Sequence, residues 1–373
     1  GRDEGRREEA RRQLSGARRL LDPRLLDLAL PLALGLALLA LGWVDDNLIA
    51  QEWRQVFWEV LLGLALGLCC LFFAYVSNRP IRFGLGVAAV IVVGIFVYGG
   101  YSGIYEERSF FGIYRVTEDA ATLGPEYPYH ALVVGDTNHG AQVLGQDPPV
   151  PIAYHDPTGP FGQLFELLPA EATQDNPIAV AGLGAGVMAC YAQPGQQWDF
   201  YEIDPLVEQI ARNDNLFTYL RDCPGQYDVI LGDARLKLAE APDDEYGMVI
   251  GEAFSSDAIP VHLLTREATD MFLDKLTDDG VLVHHISNRH LELEPVVGDL
   301  ARDRGLTCYA QFDAEIGDIP YKLASHFTVL AREEADLGSV PNDPRWQPCL
   351  TSDDPDDVWT DDFSNILGTF AWN

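Results

Sequence analysis

Ile178-Ala-Val-Ala-Gly182-Leu-Gly184-Ala-Gly186 is the stretch on which the fold turns. A short apolar run closed by glycines reads as a buried strand. Glycines let the chain turn tightly and bring its backbone close to a ligand at the N-terminus of the helix expected from Val187. Outward from this point, apolar runs at 198–203, 227–231, 246–250 and 281–286 alternate with helix-length segments near Pro205, Arg235, His262 and Leu291. Such alternation implies a parallel sheet covered on both faces, a Rossmann-like α/β domain over 177–335. A late pair of runs, 307–312 and 325–330, closes the sheet as an antiparallel edge. Before it, short alternating runs broken by Gly, Pro and Asp make 105–176 a small antiparallel β domain. Residues 336–373, rich in Asp and Pro, read as an acidic tail in loop conformation.

Acids stand at the ends of successive strands. The second strand ends in Glu202-Ile-Asp204, twenty residues after Gly182, where a carboxylate can accept both ribose hydroxyls of a nucleoside. The third ends in Gly232-Asp233-Ala234, whose carboxylate can take the exocyclic amine of adenine. Any one of these acids alone is more often a helix cap. Three motifs in order reverse that reading and point to an adenosine-containing sulfonium cofactor. The spacing G-x-G-x-G, with Val187 where the third fingerprint glycine would fall, disfavours NAD and FAD. The fourth strand leads into Glu252-Ala-Phe-Ser-Ser-Asp257-Ala-Ile-Pro260. One acid there can hold a distant ammonium while the other takes a proton from an attacking nitrogen; a plain helix cap at Asp257 fits the spacing equally well.

Charge separates the chain into parts. Its net charge is -32, yet residues 1–24 hold eight Arg against five acids, and 105–373 hold 14 Lys and Arg against 47 Asp and Glu. An acidic domain of this kind excludes nucleic-acid binding, which needs a basic face. With three lysines among 25 basic residues, the acidity reads as adaptation to a salt-rich habitat rather than steering of a polycation. Three apolar stretches, about 25–44, 56–76 and 83–104, approach the ~20 residues that span ~30 Å of hydrocarbon and are expected as transmembrane helices. A multi-pass membrane protein follows, with the bilayer as a partner. Arginines before the first stretch and between the second and third would place the later domain outside, whereas nucleotide chemistry needs the cytoplasmic pool; the chemistry favours the cytoplasm.

Six cysteines show no metal-like or framework spacing and read as buried thiols. The histidines form no i, i+4 set with acids, and His284-His285 lies in a strand where neighbours face opposite ways, so no metal site is expected. Neither a Gly-Lys-Ser phosphate loop nor a Gly-x-Ser-x-Gly elbow occurs, which sets aside phosphoryl transfer and serine hydrolysis.

Six motifs in order, Thr137-Asn-His139-Gly140-Ala-Gln142, Tyr154-His155-Asp156, Gly182 to Gly186, Glu202-Ile-Asp204, Gly232-Asp233-Ala234 and Glu252 to Pro260, resemble the spermidine synthase family over about 130–330. Pro260-Val-His262-Leu-Leu-Thr265-Arg-Glu267, His285-Ile-Ser-Asn288-Arg289 and Trp359-Thr-Asp-Asp362-Phe-Ser-Asn365 resemble its membrane-fused branch. The resemblance implies an S-adenosylmethionine-methyltransferase-like fold, a small-molecule amine substrate, a possible homodimer, and decarboxylated S-adenosylmethionine as co-substrate. It implies further that Gln142 and His155 contact cofactor or amine, Glu202 the ribose, and Asp233 and Ala234 the adenine. Glu252 takes the place of the proton-accepting aspartate, Asp257 binds the far end of the amine, and Tyr154 lines its tunnel. Two positions depart from the family: Ala185 stands where an aspartate grips the aminopropyl ammonium, and Glu252 replaces Asp. They leave room for S-adenosylmethionine itself, as in a methyltransferase, or for a non-catalytic polyamine- or nucleoside-binding module.

Overall fold

The computed structural model describes residues 27–36, 39, 80–98, 103–119, 128–135, 137–253, 260–288, 290–314, 321–354 and 357–370. The chain divides into two units, Gly1–Ser102 and Gly103–Asn373.

In the first unit, 27–36 is helical and a second helix covers Pro80–Tyr98. The multi-pass membrane expectation is corrected here: among the described residues, no helix is long and apolar enough to cross a membrane. Of the three expected spans, 56–76 lies wholly outside the described residues, as does the basic segment 1–24, and 25–44 is described only in part. The third is the helix Pro80–Tyr98, of 19 residues.

The second unit carries two sheets. Strands β1 (Tyr105–Arg108), β2 (Ile113–Asp119), β3 (Tyr129–Val134) and β4 (Thr137–Val143) form an antiparallel meander in that order. The larger sheet contains β5 (Ile178–Ala181), β6 (Gln197–Glu202), β7 (Gln226–Leu231), β8 (Tyr246–Gly251), β9 (Leu276–His285), β10 (Thr307–Asp313), β11 (Ser325–Ala331) and β12 (Gln347–Pro348), in the order β12-β10-β11-β9-β8-β5-β6-β7. β5 to β9 pair in parallel and β10 to β12 antiparallel. The strand order reverses beside β5, whose neighbours are β6 and β8. A crevice opens at such a switch point, outside the C-terminal ends of the strands.

Period-two alternation builds both layers of core. From β5, Ile178 and Val180 face one way, with Phe200, Met248, Ile250, Val283 and Phe327. Ala179 and Ala181 face the other, with Val249, Leu282 and Leu330. The first layer is covered by α1 (Pro160–Leu167) and by Leu132 and Val134 of the meander. The second is covered by α5 (Arg266–Lys275) through Ala268 and Phe272, and by α6 (Glu294–Arg304) through Val296 and Val297. Shorter helices α2 (Pro205–Ala211), α3 (Tyr219–Asp222) and α4 (Ala234–Ala239) follow β6 and β7.

Three sequence expectations change. The segment after the glycine loop is a single 3₁₀ stretch, Val187–Tyr191, rather than an α-helix. Cysteines expected as thiols are paired, Cys190 with Cys223 and Cys308 with Cys349. The tail is not plain loop: it adds β12, and Trp346, Val358 and Trp359 are buried in the domain core. Arg266 donates its backbone N–H to Trp359, and Asp361 accepts Arg235 and Thr265, which holds the tail against α4 and α5.

Candidate functional site

A cavity of about 1270 Å³ opens at the C-terminal ends of β5, β6, β7, β8 and β9. Its position follows from the switch point, and its floor from glycine. Gly182 leaves β5 with φ of +117°, and a Cβ there would come within 2.6 Å of the Glu252 carbonyl. Only a residue without a side chain lets the two strand ends approach this closely. Gly184, at φ +54°, likewise leaves no room for a Cβ beside the His139 carbonyl, 2.5 Å away.

At one end of the cavity stand Glu202 and Asp233. Glu202, 7% exposed, accepts the backbone N–H of Leu183 at 3.1 Å and of Asp204 at 2.9 Å. Burial pushes its carboxyl up to about 7, against the pull of those backbone donors. Asp233 caps α4 through Leu236 N–H at 3.1 Å and lies 3.3 Å from His262 Nε2. Ala234, Pro260, Gly182, Gly184 and Ala185 line the same space.

At the other end lies a cluster around Glu252. The carboxylate lies 2.9 Å and 3.0 Å, by its two oxygens, from His285 Nδ1, and 3.6 Å from His155 Nε2. Burial alone would raise its pKa, but the two imidazoles, His285 foremost, hold it down at about 2. Glu252 is therefore an anion with only 12% of its side chain exposed. Tyr154 stacks on His285 with ring centroids 4.9 Å apart, and burial, with Glu252 beside it, keeps its hydroxyl protonated far above the usual phenol range. Among the described residues no group of three or more His, Cys, Asp or Glu is arranged to hold a metal ion.

The cavity thus brings together Tyr154, His155, Gly182, Gly184, Glu202, Asp233, Ala234, Glu252 and Pro260. Other expected residues are used elsewhere. Gln142 spends its amide on Thr218, accepting the backbone N–H at 2.8 Å and donating to Oγ1 at 2.7 Å. Asp156 accepts the Thr158 backbone and hydroxyl. Asp204 caps α2 through Leu206 N–H and accepts the Ser109 hydroxyl, and Gly186 packs on Leu220. Asp257 lies outside the described residues. Sequence reasoning quoted His285 and Ser287 only within a branch motif and gave them no place in the site; the Ser287 Oγ lies 2.7 Å from His285 Nε2. Strand alternation was a usable signal: His284 faces the opposite layer, where burial lowers its pKa to about 4, so His285 must face the cavity side.

Against known proteins, no family model matches the chain. Over 111 residues it is 36% identical to the polyamine aminopropyltransferase of Vibrio vulnificus (strain CMCP6), a match covering 28% of this chain and 36% of that protein. The match thus spans about a third of that relative's length. Among solved structures the chain is similar to a probable spermidine synthase from Corynebacterium glutamicum, at 15% identity and TM-score 0.45, covering 61% of this chain and 79% of that one. It is also similar to the spermidine synthase of Thermotoga maritima, at 15% identity and TM-score 0.41, covering 72% and 84%. The sequence match, over the segment it shares, is what supports the spermidine synthase (polyamine aminopropyltransferase) family for this chain.

Proposed function

We propose that the chain is an aminopropyltransferase of the spermidine synthase kind, moving a 3-aminopropyl group from decarboxylated S-adenosylmethionine to an amine such as putrescine. The observation that carries this reading is one cavity with two differently set carboxylates: Glu202 at the nucleoside end and ionised Glu252, between two imidazoles, at the other. The amine lone pair attacks the carbon next to the sulfonium, the C–N bond forms, and the C–S bond breaks. Sulfur keeps the electron pair and leaves as methylthioadenosine, and the excess proton on nitrogen passes to the Glu252 cluster. The protein's task is alignment, proton removal and exclusion of water. Glu202 would accept the ribose hydroxyls, Asp233 and Ala234 would meet the adenine, and Tyr154 would wall the amine.

Ala185 favours a second reading. It is fully buried, and a Cβ on Gly140 would lie 2.7 Å from its methyl, so its side chain packs against β4. A methyl group cannot hold an ammonium, and a lost charge-assisted hydrogen bond is worth about 1.5 to 3 kcal/mol. A donor with another tail, as in methyl transfer from S-adenosylmethionine, suits that wall. Incubation with labelled decarboxylated and intact S-adenosylmethionine and diamines separates the readings: methylthioadenosine is expected. S-adenosylhomocysteine as product would replace aminopropyl by methyl transfer, and binding without turnover would leave a sensor module.

A further inference from the structure

The three polar side chains at the transfer end are not equally free to react. His285 has both ring nitrogens engaged, Nδ1 with Glu252 and Nε2 with the Ser287 hydroxyl, which itself accepts the backbone N–H of His326 at 2.8 Å. Its ring is clamped between Tyr154 and Phe327, with centroids 4.9 Å and 4.5 Å away. Glu252 is bound by that ring and cannot turn without breaking the contact. His155 differs from His285: it is 4% exposed, lines the cavity, and has neither ring nitrogen within hydrogen-bond distance of a partner among the described residues, its Nε2 lying 3.6 Å from Glu252 and its Nδ1 unengaged. A buried polar group is normally satisfied, and one left open inside a cavity points to a ligand.

We propose that His155, rather than Glu252, takes the proton from the attacking nucleophile, with Glu252 and His285 as the positioning pair behind it. The assignment rests on the transferase reading above. With its proton on Nε2, toward Glu252, the ring presents the Nδ1 lone pair. As the C–N bond forms and the C–S bond breaks, the proton of the new secondary ammonium moves to Nδ1. The resulting imidazolium faces the Glu252 carboxylate, and the proton passes to water when product leaves. This is the carboxylate–imidazole division of labour, in which the anion orients the ring and balances its charge.

The groups facing His155 are Glu252 at the end of β8, His285 on β9, and Tyr154 beside it, while the Tyr191 hydroxyl donates to its carbonyl at 2.6 Å. Burial pushes the His155 pKa below 6.5, and Glu252 only partly restores it. The ring is therefore neutral at pH 7 and able to accept. Glu252, held at about 2, is the weaker base, and an acceptor whose pKa lies near the working pH is the more effective one.

The test is single-turnover release of methylthioadenosine from decarboxylated S-adenosylmethionine and putrescine against pH, paired with ¹⁵N titration of the His155 ring in the full chain. The wild-type rate should fall tenfold per pH unit below a midpoint that lies under 6.5 and coincides with the His155 titration. His155→Gln should lose about 10²- to 10⁴-fold together with that acid limb, while still binding methylthioadenosine. Glu252→Gln should lose at least about tenfold yet keep the limb, moved to lower pH because the imidazolium has lost its counter-ion. A wild-type rate that is flat down to pH 4.5, or a limb more than about one unit from the His155 titration, would overturn the assignment even if the His155 variant failed to fold. So would a His155→Gln enzyme as fast as wild type. Methylthioadenosine absent from wild type at every pH would instead overturn the transferase reading, and this role with it.

Discussion

Glu202, buried, and Glu252, with 12% of its side chain exposed, are glutamates that face the same cavity, one ending β6 and the other following β8, the two strands that flank β5. One carboxyl is pushed up to about 7 and the other held at about 2. Burial raises both; the difference is in their company. Glu202 meets backbone N–H groups, which carry only partial charge, whereas Glu252 meets two imidazoles that can carry a full one. On the proposed function, the Glu202 end would receive hydrogen bonds from the neutral ribose of the donor. On the same reading, the Glu252 end would stabilise a positive charge that appears during reaction.

Both ends hang from the glycine loop, so the largest effect should come from that loop. Leu183 N–H holds Glu202, and the missing Cβ of Gly182 gives the Glu252 carbonyl its place. Gly182→Ala puts a side chain on a backbone at φ +117° and into contact at 2.6 Å. Such strain costs about 1 to 3 kcal/mol, visible as a lowered urea midpoint. A shift of about 1 Å at Glu252 should lower methylthioadenosine release about 10²-fold. Unchanged stability and rate would show that the two strand ends are not coupled through this contact.

The next comparison exchanges charge for amide at each end. Glu202→Gln should weaken methylthioadenosine binding, measured by calorimetry, by about 10- to 100-fold, the worth of a charge-assisted hydrogen bond, and spare turnover at saturating donor. Glu252→Gln should do the reverse, leaving nucleoside affinity within about threefold while turnover falls, since its contacts are to His285 and His155 rather than to the nucleoside end. Equal loss of affinity in both variants would merge the two ends into one site.

Much of this division was legible in sequence, because it lies along the chain: the glycine loop and the acids at 202, 233 and 252 each follow an apolar run. What was not legible depends on which strands are neighbours. Gly251 on β8 pairs with His284 on β9, which sets the next residues, Glu252 and His285, side by side; no spacing within either strand reveals that. The disulfides escaped for the same reason, since their cysteines are 33 and 41 positions apart and meet only through the fold. Gln142 depends on the fold in another way. Family resemblance placed it at the ligand, while Thr218, on the loop before α3, takes its amide. In the tail, Trp346 and Trp359 were the signal to weigh against the Asp and Pro around them, because large aromatic side chains seldom stay in water when a core is near.

The smallest expected effect is a pH dependence that again separates the two glutamates. Glu202 has its folded pKa raised, so the native protein holds this proton more tightly than the unfolded chain. Its contribution to stability is therefore favourable at low pH and lost as pH rises from 4.5 to about 7. Glu252 has the opposite sign: its folded pKa is depressed, so its contribution is present above 4.5 and lost as pH falls toward about 2. A ribose that donates to Glu202 requires the ionised form, so methylthioadenosine should bind up to about tenfold more tightly at pH 8 than at pH 6. Glu202→Gln should remove that slope and Glu252→Gln should keep it. A slope that survives Glu202→Gln would mean that another group titrates at the nucleoside end and that Glu202 does not carry the ribose.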